Sequence, residues 1–175
     1  MKTHESIIRI ADVEDLPLPA FLEEPQLSPD MKLSKHFCLK EFVRSATALK
    51  NGLDNMPGMD EVERLRQLCI HVLEPLRERF GAIRITSGYR SYRVNDLVGG
   101  SRTSQHMYGE AADIHVGNTE VGKKMYDFIH NTLDFDQLLI EVKGKQSKVV
   151  HCLHISYRSD RGPNRRYSRM QYELK

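Results

Sequence analysis

The chain has 175 residues, enough for one domain that buries a core without help from disulfides or structural metals. Its 26 Lys and Arg residues against 24 Asp and Glu residues leave a net charge of +2, which argues against a dedicated nucleic-acid binder. The three cysteines are far apart and form no Cys-x-x-Cys pair, and no stretch approaches the ~20 apolar residues of a membrane span. The composition therefore indicates neither a disulfide framework, nor a thiolate zinc site, nor a transmembrane protein.

The first part of the chain is the least regular. Residues 1–32 contain prolines among acidic residues and show no sustained hydrophobic period, which predicts an extended or partly ordered arm ahead of a folded domain over 33–175. Acidic residues also interrupt the apolar run that a signal peptide needs. We therefore expect no export signal in the chain as given.

Hydrophobic periodicity predicts four helices. The stretch "LSKHFCLKEFVRS" predicts a short helix over about 38–48. Apolar residues then recur with a 3.6-residue period, which predicts a long helix over about 60–80 that Pro75 kinks or breaks near its end. A short helix follows in "YRSYRVNDLVGG", and a longer one is expected over about 119–132.

Between and after these helices lie four predicted strands. "AIRIT" and "AADIHV" read as two short strands, and "FDQLLIEV" and "KVVHCLHISY" are two apolar runs joined by "KGKQS", which suits a hairpin. The order of elements predicts an α+β domain with a small, mainly antiparallel sheet flanked by helices. Arginine is concentrated after the last strand, in "RSDRGPNRRYSR", which suggests a basic C-terminal tail.

Strand alternation separates two sets of side chains in "AADIHV". Ala112, Ile114 and Val116 would share one face, which we expect to be core, while Asp113 and His115 share the other. An aspartate on an otherwise apolar strand is costly to desolvate unless it is paired, hydrogen-bonded or bound to a metal. Asp113 is therefore a candidate for a polar site.

Histidines supply further candidate ligands. His106 lies seven residues before Asp113, with Gly109 between them to let the chain turn back, and "HCLHIS" places His151 and His154 in an apolar strand pattern. Two imidazoles and one carboxylate with an open fourth position form a usual catalytic zinc set. Taken singly, a histidine in a strand is more often a core or edge residue than a ligand, and that interpretation stays open.

The ten residues "SQHMYGEAAD" follow the pattern Ser-x-His-x-x-Gly-x-Ala-x-Asp. The fixed positions of the pattern are Ser104, His106, Gly109, Ala111 and Asp113. With "ITSGYRS" before it and "HISY" after it, the chain resembles the zinc D-Ala-D-Ala carboxypeptidase family, in a bacterial or phage branch of cell-wall peptidases, over about 33–157. The resemblance implies a hedgehog/DD-peptidase-like fold that binds Zn²⁺.

The resemblance also implies roles for single residues. His106, Asp113 and His154 correspond to the zinc ligands, and Arg90 in "SGYRS" corresponds to a substrate arginine, whose planar fork can hold a peptide carbonyl or carboxylate. Polar residues beside these positions are further candidates for binding substrate, namely Ser87, Ser104 and Gln137.

The general base has two candidates. The resemblance points to His151, three residues before the last ligand, where an imidazole replaces the more common carboxylate. On a regular strand His151 and His154 would point to opposite faces, so His151 reaches the metal only if the chain bulges there or if it precedes the strand. Glu141 is the alternative, because it shares a strand face with Gln137 and Leu139 and can meet His154 across the hairpin.

The implied activity is hydrolysis by a metal-activated water. The resemblance implies a zinc metallopeptidase that cleaves peptidoglycan stem peptides, as a D-Ala-D-Ala carboxypeptidase or as an endopeptidase of L-Ala-D-Glu or cross-bridge bonds. The alternative is a catalytically inactive zinc-binding module that binds cell-wall peptides, and His151 in place of a carboxylate is its support.

The expected partners and location follow from that activity. We expect an endolysin-like monomer that binds peptidoglycan peptides, stays cytoplasmic until a phage-type lysis releases it, and then acts on the cell wall. The arginine-rich segment suggests contact with nucleic acid or with anionic wall polymers. The first of these is the weaker interpretation, because the segment has few interleaved aromatic residues.

Overall fold

The structure is a computed structural model that describes residues 27–142 and 150–172. Its helices are α1 (Leu39–Val43), α2 (Ala46–Lys50), α3 (Met59–Leu68), α4 (Glu74–Phe80), α5 (Tyr92–Leu97) and α6 (Thr119–Thr132). Its strands are β1 (Ile85–Ser87), β2 (Ala111–His115), β3 (Gln137–Val142), β4 (Val150–Ser156) and β5 (Tyr167–Tyr172). A π-helical turn, Cys69–Leu73, joins α3 to α4, and a 3-10 helix spans Gln105–Tyr108.

The strands form one mixed sheet in the order β1-β2-β4-β3-β5. The first three neighbouring pairs are antiparallel, and β3 and β5 are parallel. The predicted fold class, α+β with a small, mainly antiparallel sheet flanked by helices, is confirmed.

One face of the sheet carries the hydrophobic core. Ala112, Ile114 and Val116 are buried together, as strand alternation predicts, and α6 packs on β3 and β4 behind them. Fully burying a side chain the size of Ile114 or Val116 contributes about 1.5–3 kcal/mol to the stability of the fold. The opposite face of β2 and β4 is left for polar side chains.

The long helix predicted over 60–80 is present, with a local change of winding. It begins at Met59 and ends at Phe80, and the Glu74 N–H donates to the carbonyl of Cys69, five residues back. Pro75 follows directly. Because a proline has no N–H and its ring crowds the carbonyl four residues earlier, a wider π-helical turn accommodates it without ending the helix.

The single helix predicted over 38–48 is wrong, because the chain forms two helices there. Arg44 ends α1 with an extended backbone (φ −65°, ψ 119°), and the hydroxyl of Ser45 caps α2 by accepting from the Ala48 N–H at 3.2 Å. Ser and Thr compete with helix continuation by making such local bonds. The strand expected in "AIRIT" lies slightly later, at Ile85–Ser87.

Residues 27–32, which the sequence analysis placed in the N-terminal arm, pack on the domain. Leu27 and Met31 contact the core, and the Leu39 N–H donates to the Met31 carbonyl at 2.9 Å. Residues 1–26 of the predicted arm and the predicted "KGKQS" turn lie outside the described residues.

The arginine-rich segment is part of the sheet, where the sequence analysis expected only a basic tail. Its β5 pairs with β3 in parallel register, from Gln137 opposite Tyr167 to Val142 opposite Tyr172. Ahead of β5, the Arg165 side chain donates to both oxygens of the fully buried Asp136. Neither feature has a local sequence signal, because each depends on a partner about thirty residues away.

Candidate metal centre

Three side chains on the polar face of the sheet converge. His106 lies in the 3-10 helix, Asp113 in β2, and His154 in β4 directly opposite Asp113. One ligand atom of each lies within 4.8 Å of the others. The structure thus brings together the three residues that the sequence analysis proposed as zinc ligands.

Two irregularities in the sheet flank this cluster. In β1, Ile85 pairs with Ile114 and Ser87 with Asp113, so that Thr86 is an extra residue. The pairing of β3 with β4 likewise shifts next to Glu141, as described below. Bulges of this kind redirect strands beside active sites, and the first one brings Ser87 opposite Asp113.

Two glycines near the cluster allow close backbone approaches, one of the 3-10 helix to α3 and one of the residues after β1 to α1. Gly109 ends the 3-10 helix with a left-handed backbone (φ 71°), and a Cβ there would lie 2.3 Å from the carbonyl oxygen of Glu61 in α3. A Cβ on Gly88 would lie 2.6 Å from Cα of Phe42. Glycine is required at both positions because backbone occupies the space of a side chain.

Hydrogen bonding orients His106. Its Nδ1 lies 2.6 Å from the carbonyl oxygen of Gly88, and a carbonyl only accepts. Nδ1 therefore carries the proton and Nε2 keeps its lone pair, 3.3 Å from Oδ1 of Asp113. Burial lowers the pKa of His106, which favours the neutral ring that metals bind.

Asp113 has a separate set of contacts for each oxygen. Oδ1 lies 2.8 Å from Nδ1 of His154, while Oδ2 accepts from the Nη2 group of Arg90 at 2.8 Å. Burial raises the pKa of Asp113, but the adjacent His106 and His154 outweigh it and hold that pKa well below its usual range. The carboxylate is therefore ionised at neutral pH.

These residues fit a zinc ion. Zinc prefers imidazole nitrogen and carboxylate oxygen, and its catalytic sites have three protein ligands and an open position. A backbone carbonyl holds the neutral imidazole of His106, and Arg90 holds the ionised carboxylate of Asp113. Two of the three ligands therefore have an outer hydrogen bond that fixes their orientation. His154, directly opposite Asp113, completes the set, because a neutral imidazole offers one ring-nitrogen lone pair to a metal.

The cluster opens into a cavity of about 490 Å³. Ser104, Gln137 and Leu139 line it beside the three candidate ligands. The structure thus places two of the predicted substrate-binding residues, Ser104 and Gln137, at the centre, and Leu139 lies opposite His154 on the neighbouring strand.

Arg90 lies beside the cluster and holds several parts of it together. Its Nε donates to the Ser87 hydroxyl at 2.9 Å, its Nη2 to Asp113, and its backbone N–H to the carbonyl of His106 at 3.2 Å. Ser87, which the sequence also predicted to bind substrate, thus contacts Arg90. Within the described residues Nη1 of Arg90 makes no hydrogen bond, so one donor group is left for a ligand.

The candidate bases lie on the hairpin next to the cluster. Glu141 pairs with Cys152 and Val142 with Val150, which makes His151 the extra residue of a bulge in β4. This bulge is one of the two conditions under which the sequence analysis allowed His151 to reach the metal. The side chains of Glu141 and His151 lie outside the described part of the chain, so both roles stay predictions.

A buried chain of hydrogen bonds behind the centre escaped the sequence analysis. The Gln137 N–H donates to the Ser156 hydroxyl at 2.9 Å, which donates to Oε1 of Gln105 at 2.8 Å, and Nε2 of Gln105 donates to the fully buried Glu110 at 3.1 Å. Arg161 lies 3.4 Å from the same Glu110 oxygen. The sequence gives little sign of this chain of bonds, because Ser156 and Arg161 lie about 50 residues from their partners Gln105 and Glu110.

Comparison with known proteins adds a family to this geometry. A protein-family model described as Peptidase M15 matches residues 35–152, most of the chain. The matched range includes His106 and Asp113 and ends two residues before His154, which joins them through strand pairing. A search of curated proteins returns no match. None of the described helices has the length and apolar character needed to cross a bilayer.

Proposed function

Since the chain belongs to the peptidase M15 family, whose members depend on zinc, we propose that it hydrolyses the stem peptides of peptidoglycan. The observation that carries this proposal is the His106, Asp113 and His154 cluster, which opens into a cavity beside Arg90. The family indicates a metallopeptidase. The proposed cell-wall substrate is supported by the resemblance of the motif residues to those of the zinc D-Ala-D-Ala carboxypeptidases.

Each residue of the centre has a distinct task in this proposal. Zinc, when bound, supplies a Lewis acid that polarises a carbonyl and makes its bound water a nucleophile near neutral pH. His106, Asp113 and His154 hold the ion. Arg90, already fixed by Ser87 and Asp113, uses its remaining donor to orient a peptide carbonyl or carboxylate.

Proton transfer is assigned to His151, with Glu141 as the alternative. A base must reach the attacking water and then return the proton to the leaving amine. The bulge at His151 supports its role, because it interrupts the alternation that would otherwise put His151 and His154 on opposite faces. Ser104 and Gln137 supply hydrogen bonds to the peptide from the cavity wall.

The proposal extends to the bond and the setting. The candidate bonds are D-Ala-D-Ala, cut as a carboxypeptidase, and L-Ala-D-Glu or a cross-bridge, cut as an endopeptidase. We propose that the protein acts as a monomer on the cell wall, as an endolysin-like enzyme that reaches it from the cytoplasm at lysis.

One observation favours a second candidate, a zinc-binding module that binds wall peptides without cutting them. The position of the expected base holds an imidazole, and an imidazole close to a dication resists taking a proton. Under this alternative the centre binds zinc and peptide, and no fragments are released.

The test combines metal content with peptide release. Zinc-loaded protein is incubated with purified peptidoglycan, and fragments are identified by mass spectrometry for the wild type, His154→Ala and His151→Ala. We expect about one zinc per chain, released fragments that name the bond, loss of both zinc and fragments in His154→Ala, and loss of fragments alone in His151→Ala.

The matched control is His115→Ala, an exposed histidine two residues after Asp113 on the same strand, which should keep zinc and activity. Zinc without fragments from the wild type would support the binding module. An absence of zinc in the wild type would exclude both candidates.

A further inference from the structure

A second cavity adjoins the metal centre. It measures about 370 Å³ and lies between the link from α1 to α2, strand β1 and helix α5. Ser87 and Arg90 line it, and Arg90 also lines the cavity that holds the candidate ligands. A ligand that passes along Arg90 therefore contacts both cavities.

This second cavity carries a positive charge that the protein does not neutralise. Its lining has two arginines, Arg44 and Arg90, and no acidic residue. The charge of Arg90 is compensated by Asp113. Arg44 is exposed at the mouth of the cavity lining, and among the described residues its guanidinium has neither an ion pair nor a hydrogen bond, so its donors are free to exchange water for a ligand.

The local backbone explains why Arg44 lies at this place. Ser45 caps α2 with its hydroxyl, which forces Arg44 out of the helical conformation and separates α1 from α2. The break brings Arg44, Ser45 and Thr47 to one wall, and Thr86 and Ser87 of β1 form another. The lining thus combines one unpaired guanidinium with several hydroxyl groups.

We propose that this cavity, which we call the Arg44 cavity, binds a second carboxylate of an acidic peptide whose scissile bond lies at the metal centre. A guanidinium holds a carboxylate through two parallel hydrogen bonds, and hydroxyls can donate to the remaining lone pairs. Arg90 connects the two cavities, so that one extended peptide occupies both. The inference rests on the proposed peptidase function and narrows its substrates to peptides with a carboxylate away from the cleaved bond.

The test compares two synthetic stem peptides that differ in one group. One keeps the free carboxylate of its D-Glu residue, and the other has the corresponding amide. For the zinc-loaded wild type we expect kcat/KM to favour the free acid by about tenfold, as for a hydrogen-bonded charge pair. Arg44→Gln should abolish this preference mainly by raising KM, and Arg44→Lys should retain part of it.

The control is Arg93→Gln, which removes one exposed charge from α5 outside the lining of the Arg44 cavity and should leave the preference unchanged. If the wild type cuts both peptides equally well, or if Arg44→Gln keeps the preference, the Arg44 cavity is not a carboxylate site, while the peptidase function stands.

If no peptide is cut, the proposed function fails, and binding decides the inference separately. Affinities of both peptides for zinc-loaded wild type and Arg44→Gln are then measured by calorimetry. A preference for the free acid that is lost in Arg44→Gln supports the site, and equal affinities overturn it.

Discussion

The metal centre and the arginine-rich segment at 158–169 both hold carboxylates away from water, but the two regions satisfy them differently. At the centre, Oδ1 of Asp113 faces the ring nitrogens of His106 and His154. In the segment, the side chain and the backbone N–H of Arg165 donate to Asp136, which is fully buried.

The difference separates a binding site from a structural ion pair. A guanidinium is always a cation and never a metal ligand, so a carboxylate that it saturates has its counter-charge within the chain. An imidazole is neutral at neutral pH when burial lowers its pKa, as for His106, and offers a lone pair. Asp113 gives one oxygen to Arg90 and turns the other toward two imidazoles, with which it forms a set of possible metal ligands, whereas both oxygens of Asp136 accept from Arg165.

The largest predicted effect comes from removing the carboxylate of Asp113, on which zinc binding at the metal centre depends. In Asp113→Ala the two imidazoles lose their shared partner, and one of three ligands is gone. We expect zinc affinity to fall by more than the roughly 100-fold that loss of an outer hydrogen-bond partner costs, with complete loss of peptide release. Affinity is measured by competition with a chromogenic chelator.

The control for this change is Asp127→Ala, which removes an exposed aspartate on α6 and should leave zinc affinity unchanged. Zinc bound with wild-type affinity by Asp113→Ala would mean that the ion lies elsewhere, and the contrast between the two regions would lose its basis.

The two regions also differ in how far their sequence predicts them. The spacing of His106 and Asp113 within one short motif indicates a cluster, because a turn at Gly109 brings the two residues together locally. His154 was proposed from its strand pattern and from the resemblance, and its place opposite Asp113 comes from the pairing of β2 with β4. The helix over Thr119–Thr132 was equally local, with an Asn118 cap and a regular apolar stripe.

The segment after β4 could not be predicted in this way. The parallel pairing of β3 with β5 joins residues about thirty positions apart, and the arginines ahead of β5 find their partners, Asp136 and Glu110, at a similar or greater distance along the chain. Read alone, such a segment resembles a solvated basic tail. The break that places Arg44 was likewise missed, since apolar periodicity continues across it while the Ser45 cap interrupts the helix.

Removing the charge of Asp136 should lower the free energy of unfolding and leave zinc binding unchanged, which would separate the two regions further. In Asp136→Asn the Arg165 side chain loses its charged partner and a buried position holds an amide with poorer geometry. Breaking a fully buried pair costs about 3–5 kcal/mol, but the Arg165 side chain is about half exposed and Asn retains an acceptor, so we expect a loss of about 2 kcal/mol. Urea unfolding measures this loss, and zinc affinity should stay within twofold of the wild type.

The same pair has a defined pH dependence. Burial raises the pKa of Asp136, but the hydrogen bonds and charge of Arg165 and the charge of Arg158 outweigh it, and the folded pKa lies below the usual 3.8. A lowered folded pKa gives stability that is present above the unfolded pKa and is lost as the pH falls through the folded one. Below about pH 4 the wild type should therefore lose stability faster than Asp136→Asn, and parallel curves would contradict this assignment.

The smallest predicted effect concerns Glu110, where the two regions meet. Its carboxylate accepts from Gln105, next to His106, and lies beside Arg161 of the arginine-rich segment. Its other oxygen is buried without a partner among the described residues, so Glu110 is less well satisfied than Asp136. Glu110→Gln should therefore cost only about 1 kcal/mol of unfolding free energy.

Zinc affinity distinguishes a positioning role of Glu110 at the metal centre from a purely structural one. The hydrogen bonds from Glu110 through Gln105 to Ser156 join the segments that carry His106 and His154, so we expect Glu110→Gln to weaken zinc binding by about tenfold, as loss of an outer partner does. Asp136→Asn makes the same acid-to-amide change at another carboxylate that pairs with the arginine-rich segment, at a larger cost in stability. If both variants lost zinc affinity in proportion to stability, Glu110 would be a structural ion pair like Asp136. A tenfold loss confined to Glu110→Gln would make it a positioning residue, because its effect on zinc would then exceed what its small effect on folding can explain.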